Sequence, residues 1–279
     1  VTVTMTKVLD GYPLLWHLST EDAGNATLVG RSNQKCNFLL NIYPDDFSSA
    51  SGTPLQEVLC SGMYPANVSY SMGVDDNFTE DVSLVGNSKV WRNANFLHTG
   101  TIFDDTDSPL ALTDSGGVQR RQEFIFSPVA DGSILPVDVA GITSSGGNEE
   151  VNGIYGAAVQ SVNVSCDFGR TGLKELGRKL DYHKYIDFPV DVTTDIEIIA
   201  KSGDLVDCVE DTDNLTDRQI TIKVTDGTKL DLGAKNKLSN ISMGGGDATG
   251  GNDTITYSFT NSNLITVTHP QDPTVALRG

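Results

Sequence analysis

The sequence has few of the residues that usually announce a catalytic centre. Its four histidines, His17, His98, His183 and His269, stand far apart. Its four cysteines, Cys36, Cys60, Cys166 and Cys208, form no C-x-x-C pair and have no histidine at ligand spacing, so no zinc site is expected. Neither H-E-x-x-H nor G-x-S-x-G occurs, and the reading is of a protein that is not an enzyme and carries no cofactor or metal. Apolar runs are short: Pro13-Leu14-Leu15-Trp16 is far below the ~20 residues that a membrane-spanning helix needs, so no membrane association is expected. Residues 1–20 show no basic start followed by an apolar segment, and no secretory signal is expected.

Positive charge is also scarce. Nineteen Lys and Arg against 37 Asp and Glu give a net charge of −18 over 279 residues. Such a surface is the opposite of one built to grip nucleic acid phosphates. It is compatible with a face that a polyanion must pass without adhering. Apolar residues make up 38% of the chain and glycine supplies 28 positions, the balance of a globular protein rather than a disordered one.

What the sequence has in abundance is period-two alternation. From Ser161, the polar set Ser161, Asn163, Ser165 and Asp167 alternates with Val162, Val164, Cys166 and Phe168, the pattern of a half-buried strand in which Cys166 is a small buried thiol. From Val190 the same pattern sets Val190, Val192, Ile196 and Ile198 against Asp191, Thr193, Asp195 and Glu197. Further strands are expected near 66–72, 78–85, 123–127, 134–139, 219–224, 228–232, 254–260 and 264–268. Only short helices fit between them. One is expected from Thr53, where Pro54, Gln56 and Gly62 stand as first-turn proline, capping-box partner and terminating glycine, and a second short turn near Leu173–Gly177.

Pattern also sets a register. A two-residue turn at Asp226-Gly227 would oppose apolar and charged residues on one face. A three-residue loop, Thr225-Asp226-Gly227, instead sets Val224 against Thr228, Ile222 against Leu230 and Ile220 against Leu232, with Gly227 left-handed. The chain reads as one mainly β domain spanning 1–279, with surface excursions near 104–121 and 243–251; a smaller C-terminal subdomain from about Gly203 is the alternative.

Most remaining motifs have bland explanations. Gly244-Gly245-Gly246 lacks the Lys-Ser/Thr of a phosphate cradle, and Glu210-Asp211-Thr212-Asp213-Asn214 begins like a calcium loop but places Leu215 where a ligand belongs. Seven Asn-x-Ser/Thr triplets, at Asn25, Asn67, Asn77, Asn163, Asn214, Asn240 and Asn252, would suit a glycosylated module, yet Asn163 falls inside an expected strand. Basic residues cluster: Arg170, Lys174, Arg178, Lys179 and Lys184 occupy the connection between the two best strands. They read either as a solvated loop or as a patch that meets Asp207, Glu210, Asp211, Asp213 and Asp217 on a neighbouring copy.

The run Val159-Gln-Ser-Val-Asn-Val-Ser-Cys-Asp-Phe-Gly-Arg170, with Leu176-Gly177-Arg178, Tyr182, Tyr185 and Phe188-Pro-Val-Asp-Val-Thr-Thr194, resembles the long hairpin of phage tail tube (major tail) proteins. Asp76–Gly86, Lys89-Val-Trp91, Asp226-Gly227, Leu232-Gly233 and Asn236-Lys237 add to the resemblance, which covers about two thirds of the chain. It implies a β-sandwich/barrel tail-tube-like fold with a flanking helix, in which a long hairpin from each subunit enters a β-barrel formed by a sixfold ring. Stacked rings then form the tube through which the genome is ejected. The implied partners are other copies of the chain, sheath, terminator and baseplate proteins, and double-stranded DNA passing without specific binding; the implied location is the virion tail, assembled in the host cytoplasm. On that reading Asp167, Asp191, Asp195 and Glu197 are the candidates for facing the bore, and closure of exposed strand edges at 159–199 by neighbouring copies would hold the ring. The competing reading is an extracellular β-sandwich that binds glycans, with exposed aromatics such as Tyr64 and Trp91.

Overall fold

The computed structural model describes residues 1–20, 26–44, 54–93, 117–127, 159–199, 217, 219–244 and 253–272. The first part of the chain forms β1 (Thr2–Val8), α1 (Leu15–Ser19), α2 (Leu28–Ser32), β2 (Cys36–Ile42), β3 (Gln56–Gly73), β4 (Thr79–Val85) and β5 (Ser88–Asn93). A 3-10 turn at Arg121–Glu123 leads into β6 (Phe124–Ser127). Then follow β7 (Val159–Asp167), β8 (Thr171–Leu173), β9 (His183–Tyr185) and β10 (Asp191–Ile199). The C-terminal part supplies β11 (Thr221–Val224), β12 (Lys229–Asp231), β13 (Lys237–Gly244), β14 (Thr254–Ser262) and β15 (Thr266–Thr268).

The fold is mainly β. One antiparallel sheet has the order β1-β4-β3-β7-β10-β14-β13, with β2 and β5 flanking the first half of β3. A second sheet, β15-β12-β11-β6, packs through Ile220, Ile222, Leu230 and Val267 into the same apolar cluster as Val82, Tyr70, Val164, Ile196 and Tyr257 of the first. The C-terminal strands are thus divided between both sheets, with β13 and β14 completing the first. Helices α1 and α2 contribute Trp16 and Leu28 to that cluster, and Trp16 stacks on Phe168 with ring centroids 5.4 Å apart. Val190, Val192, Ile196 and Ile198 are all buried there, as their alternation requires.

The helix expected from Thr53 does not form. From Gln56 onward that stretch belongs to β3, an 18-residue strand. Its Leu59 pairs with Leu39 of β2 on one side and Val90 of β5 on the other, so two ladders outweigh a local capping signal. Gly62 does use a left-handed backbone, with φ +62°, but at a bulge, where its N–H donates to Asn37 Oδ1 at 3.1 Å. The strand expected at 134–139 lies outside the described residues.

The 225–227 hairpin has the three-residue loop. Ile222 pairs with Leu230, the Val224 N–H donates to the Thr228 carbonyl at 2.8 Å, and Gly227 has φ +94°. A Cβ on Gly227 would also lie 2.3 Å from Cγ of Pro270, in the segment that follows β15. Gly227→Ala therefore combines left-handed strain with a clash against backbone-anchored atoms. The expected loss is about 2–4 kcal/mol of unfolding free energy by denaturant titration, against less than about 0.5 for a change at an open exposed site.

Candidate assembly surface

Because one face of the first sheet is covered by the helices and the second sheet, the alternate residues of every strand point the other way. Register shows what they make. One row crosses the sheet as Thr4, Ser83, Asn67 and Asp167; the next as Thr6, Asp81, Ser69, Ser165, Thr193, Thr260 and Lys237. A third runs Thr79, Ser71, Asn163, Asp195, Ser258 and Asn240, and a fourth Ser161, Glu197, Thr256 and Ser242. These are hydroxyls, amides and carboxylates with Lys237 as the cation among them. Cross-strand hydrogen bonds tie the rows together: Ser258 donates to Asp195 at 2.6 Å, Ser161 to Glu197 at 3.0 Å, and Ser71 to Asn163 at 2.8 Å.

Asp167, Asp191, Asp195 and Glu197 all lie on this face. Asp167 and Asp191 are exposed, and Asp195 and Glu197 are half-buried among the hydroxyls. The face holds a fifth carboxylate, Asp81 on β4, which the alternation Asp81, Val82, Ser83, Leu84 would have revealed. Behind it, burial and then the Asp167 and Asp191 charges push the Cys166 thiol up to about 12, so it stays protonated and inert. Cys36, Cys60 and Cys166 are free thiols.

The basic connection between β7 and β10 is an arm built on the β8–β9 pair. Two of its five cations are not surface charges. Arg170 donates to the carbonyls of Pro65 at 2.6 Å, Lys184 at 3.1 Å and Ser32, and its guanidinium lies over the Tyr64 ring at 5.3 Å. Burial lowers its pKa to about 10, and its role is to bind the arm to the body, which corrects its assignment to an intersubunit patch. Lys184 is likewise paired with Asp181 at 2.9 Å and mostly covered. Lys174, Arg178 and Lys179 are exposed, and Arg178 pairs with Glu175 at 2.5 Å. Between them Leu176 is fully exposed, at 103%, and Leu180 and Tyr182 are half exposed.

The expectation that the 159–199 strands present open edges is also corrected. β7 is hydrogen-bonded to β3 and β10, and β10 to β7 and β14, so both lie inside the sheet. The sheet path ends at β1 and β13. All six pairings along that path are antiparallel, so β1 and β13 run in the same direction. Beside the start of β13 lies an open groove of about 540 Å³ that includes Asp191, Asp217, Lys235, Lys237, Ser262 and Leu264. Asp217 is exposed there, 3.8 Å from Lys237. Asp207, Glu210, Asp211 and Asp213, with Cys208 and most of the two surface excursions, lie outside the described residues.

Among the described residues no helix is long and apolar enough to cross a membrane, and no cluster of His, Cys, Asp or Glu is arranged to hold a metal. Comparison with family models finds none that matches the chain, and no curated protein matches it either.

Proposed function

We propose that the chain is a structural subunit of a bacteriophage tail tube, assembling into rings that stack around a bore for DNA. The observation that carries this reading is the polar face. It spans all seven strands of the sheet path, bears five carboxylates, and among the described residues is the face of that sheet opposite the core. Duplex DNA carries about one phosphate charge per 1.7 Å, and a bore lined with cations would capture it by releasing counterions. A lining of hydroxyls and carboxylates repels it weakly and uniformly. The resemblance of residues 159–194 to tail tube hairpins points the same way.

The edges at β1 and β13, where the sheet ends among the described residues, supply the joint. Rotation about an axis along the strands brings β1 of one copy beside β13 of the next, and since the two run in the same direction the seam is a parallel ladder in an otherwise antiparallel barrel. Such a contact is heterologous and closes only as a ring, which removes both edges from solvent. Sheath, terminator and baseplate proteins are the further partners of this reading, and the virion tail its location.

Negative-stain microscopy of the concentrated full chain tests it. Rings or tubes with a central hole are expected; monodisperse monomers at every concentration would refute it. If those monomers gave a glycan-array signal lost on replacing the half-exposed Trp91, which Lys89 covers at 4.5 Å, the glycan-binding reading would stand instead.

A further inference from the structure

We infer that the apex of the arm in one copy seats in the groove beside β13 of the adjacent copy, an inference that rests on the ring-forming reading above. The apex has the composition of an anchor: a fully exposed Leu176 with Leu180 and Tyr182 near it, and Lys174, Arg178 and Lys179 around them. An apolar side chain exposed to that extent on a short hairpin is stabilised by being covered, and a polar rim around an apolar centre is the usual anatomy of a docking contact.

The arm's direction identifies where the cover must come from. The base of the arm is tied to the β14 side, where the Val190 N–H donates to Asn263 Oδ1 at 2.8 Å, but the ties nearer its apex run to the other side: Arg170 to Pro65 of β3 and Ser32 of α2, His183 Nδ1 to the Tyr64 hydroxyl at 3.2 Å, and Asn87, between β4 and β5, to the Asp181 carbonyl. In the sheet order β3 and β4 lie on the β1 side of β7, so the arm is held over the half of the sheet that ends at β1. The groove lies on the other side of β7, running from Asp191 at the start of β10 to the end of β14 and the start of β13. The ties at Asp181 and His183 thus draw the apex toward β3 and β4, away from the groove of its own copy.

A neighbour removes that separation. Thr2, Tyr64 and Val85 share a register row at the arm end of the sheet, and Lys237 and Thr260 pair at the same end. Ring closure that sets β1 beside the next β13 thus brings the arm end of one edge to the arm end of the other, with the groove next to the arm. The lining is complementary in kind: Asp191 and Asp217 for Lys174 and Lys179, Lys235 and Lys237 for Glu175, and Leu264 beneath Leu176. About 540 Å³ accommodates a leucine and its immediate neighbours. Because the two surfaces differ, each copy gives one arm and receives one, as a closed ring requires.

Paired cysteines test the contact. In a background with Cys36 and Cys208 replaced by Ser, a chain carrying both Leu176→Cys and Ser262→Cys, assembled and then treated with a short bifunctional thiol reagent, should give a covalent ladder ending at the ring size. Either single variant should give no ladder. Rings visible by microscopy without a ladder from the double variant would overturn the docking and leave the tube reading standing, as would covalent dimers from Leu176→Cys alone, which would mean that arm meets arm. Absence of both rings and ladder overturns both. As an independent readout, Leu176→Asp should raise the concentration needed for assembly about tenfold or more while the monomer melts as before, and an unchanged assembly threshold would refute the anchor role.

Discussion

Replacing Arg31 by Ala should remove about 3–5 kcal/mol of unfolding free energy, the loss that follows when one partner of a buried ion pair is deleted and the other stays buried. Arg31, on α2, is fully buried. Its guanidinium donates to Asp272 beyond β15 and, at 3.0 Å, to Thr20 Oγ1, which in turn donates to the Trp16 carbonyl at 2.6 Å. The pair therefore joins both helices to the end of the second sheet. His17 belongs to the same cluster: its Nε2 hydrogen-bonds to the Val267 carbonyl at 3.1 Å, and its Nδ1 lies 3.9 Å from Asp272. Burial, and then the Arg31 charge, lowers the His17 pKa from 6.5 to about 4, against the opposing pull of Asp272.

The sign is fixed by that depression. Unfolded His17 takes up a proton near pH 6.5 and folded His17 only near pH 4, so the unfolded state gains stability as pH falls through this window, on the order of 3 kcal/mol by its lower end. In Arg31→Ala the cation that opposes protonation is gone while Asp272 remains, so His17 should titrate closer to 6.5 and its part of the acid loss should shrink. Denaturant titrations at pH 7 and pH 4.5 on both proteins check this. A double replacement by apolar residues, Arg31→Met with Asp272→Leu, should recover most of the loss at pH 7. An Arg31→Ala protein within about 1 kcal/mol of the parent would show that the pair is not a fastening.

Alternation was the legible part of this sequence, and it worked where each residue's environment follows from its own strand. Val162, Val164 and Cys166 face the core and Asn163, Ser165 and Asp167 face solvent because successive side chains point to opposite faces whatever strand lies alongside. The 225–227 loop was legible for a related reason, since a one-residue slip would have turned Ile222 and Leu230 apart. Sheet order is another matter. Tyr70 pairs with Val164, and Ile196 with Tyr257, across most of a hundred and about sixty residues of chain, and no local pattern encodes such a choice. Without it the 159–199 pair reads as an open-edged hairpin although it sits mid-sheet. Arg170 failed in the same way: a basic residue in a loop reads as surface charge, and only the fold brings the carbonyls of Pro65 and Ser32, 105 and 138 positions away, to its guanidinium. Helix α1 was missed because its cap is remote, being supplied by Glu80 of β4 rather than by Leu14 before it.

That remote cap leads to an effect of the same size as the loss of Arg31, with the opposite pH signature. Glu80 is completely buried and accepts three hydrogen bonds: from the N–H of Leu15 at 2.6 Å, the N–H of Trp16 at 3.1 Å and the Tyr70 hydroxyl at 2.9 Å. The first two are donors that a helix of five residues cannot satisfy internally, and the carboxylate sits at the positive end of the helix. Glu80→Ala would leave all three donors buried without that partner and open a cavity beside Trp16, an expected loss of about 3–5 kcal/mol. Glu80→Gln keeps the volume and one acceptor oxygen and should cost less, about 1–2 kcal/mol. Burial raises the Glu80 pKa above 4.5 despite the three donors, and Tyr70 beside it is pushed well above 10 and stays a neutral donor. A carboxyl with a raised folded pKa favours the folded state as pH falls from that value to its unfolded value, so Glu80 offsets part of the acid loss that His17 causes. Removing the titration while keeping the shape exposes the difference: between pH 7 and pH 4.5, Glu80→Gln should lose stability more steeply than the parent protein, whereas Arg31→Ala should lose it less steeply. Parallel curves for the parent and Glu80→Gln would mean that the carboxyl does not titrate across this range, and the assignment of Glu80 as a buried, raised acid capping α1 would have to be given up.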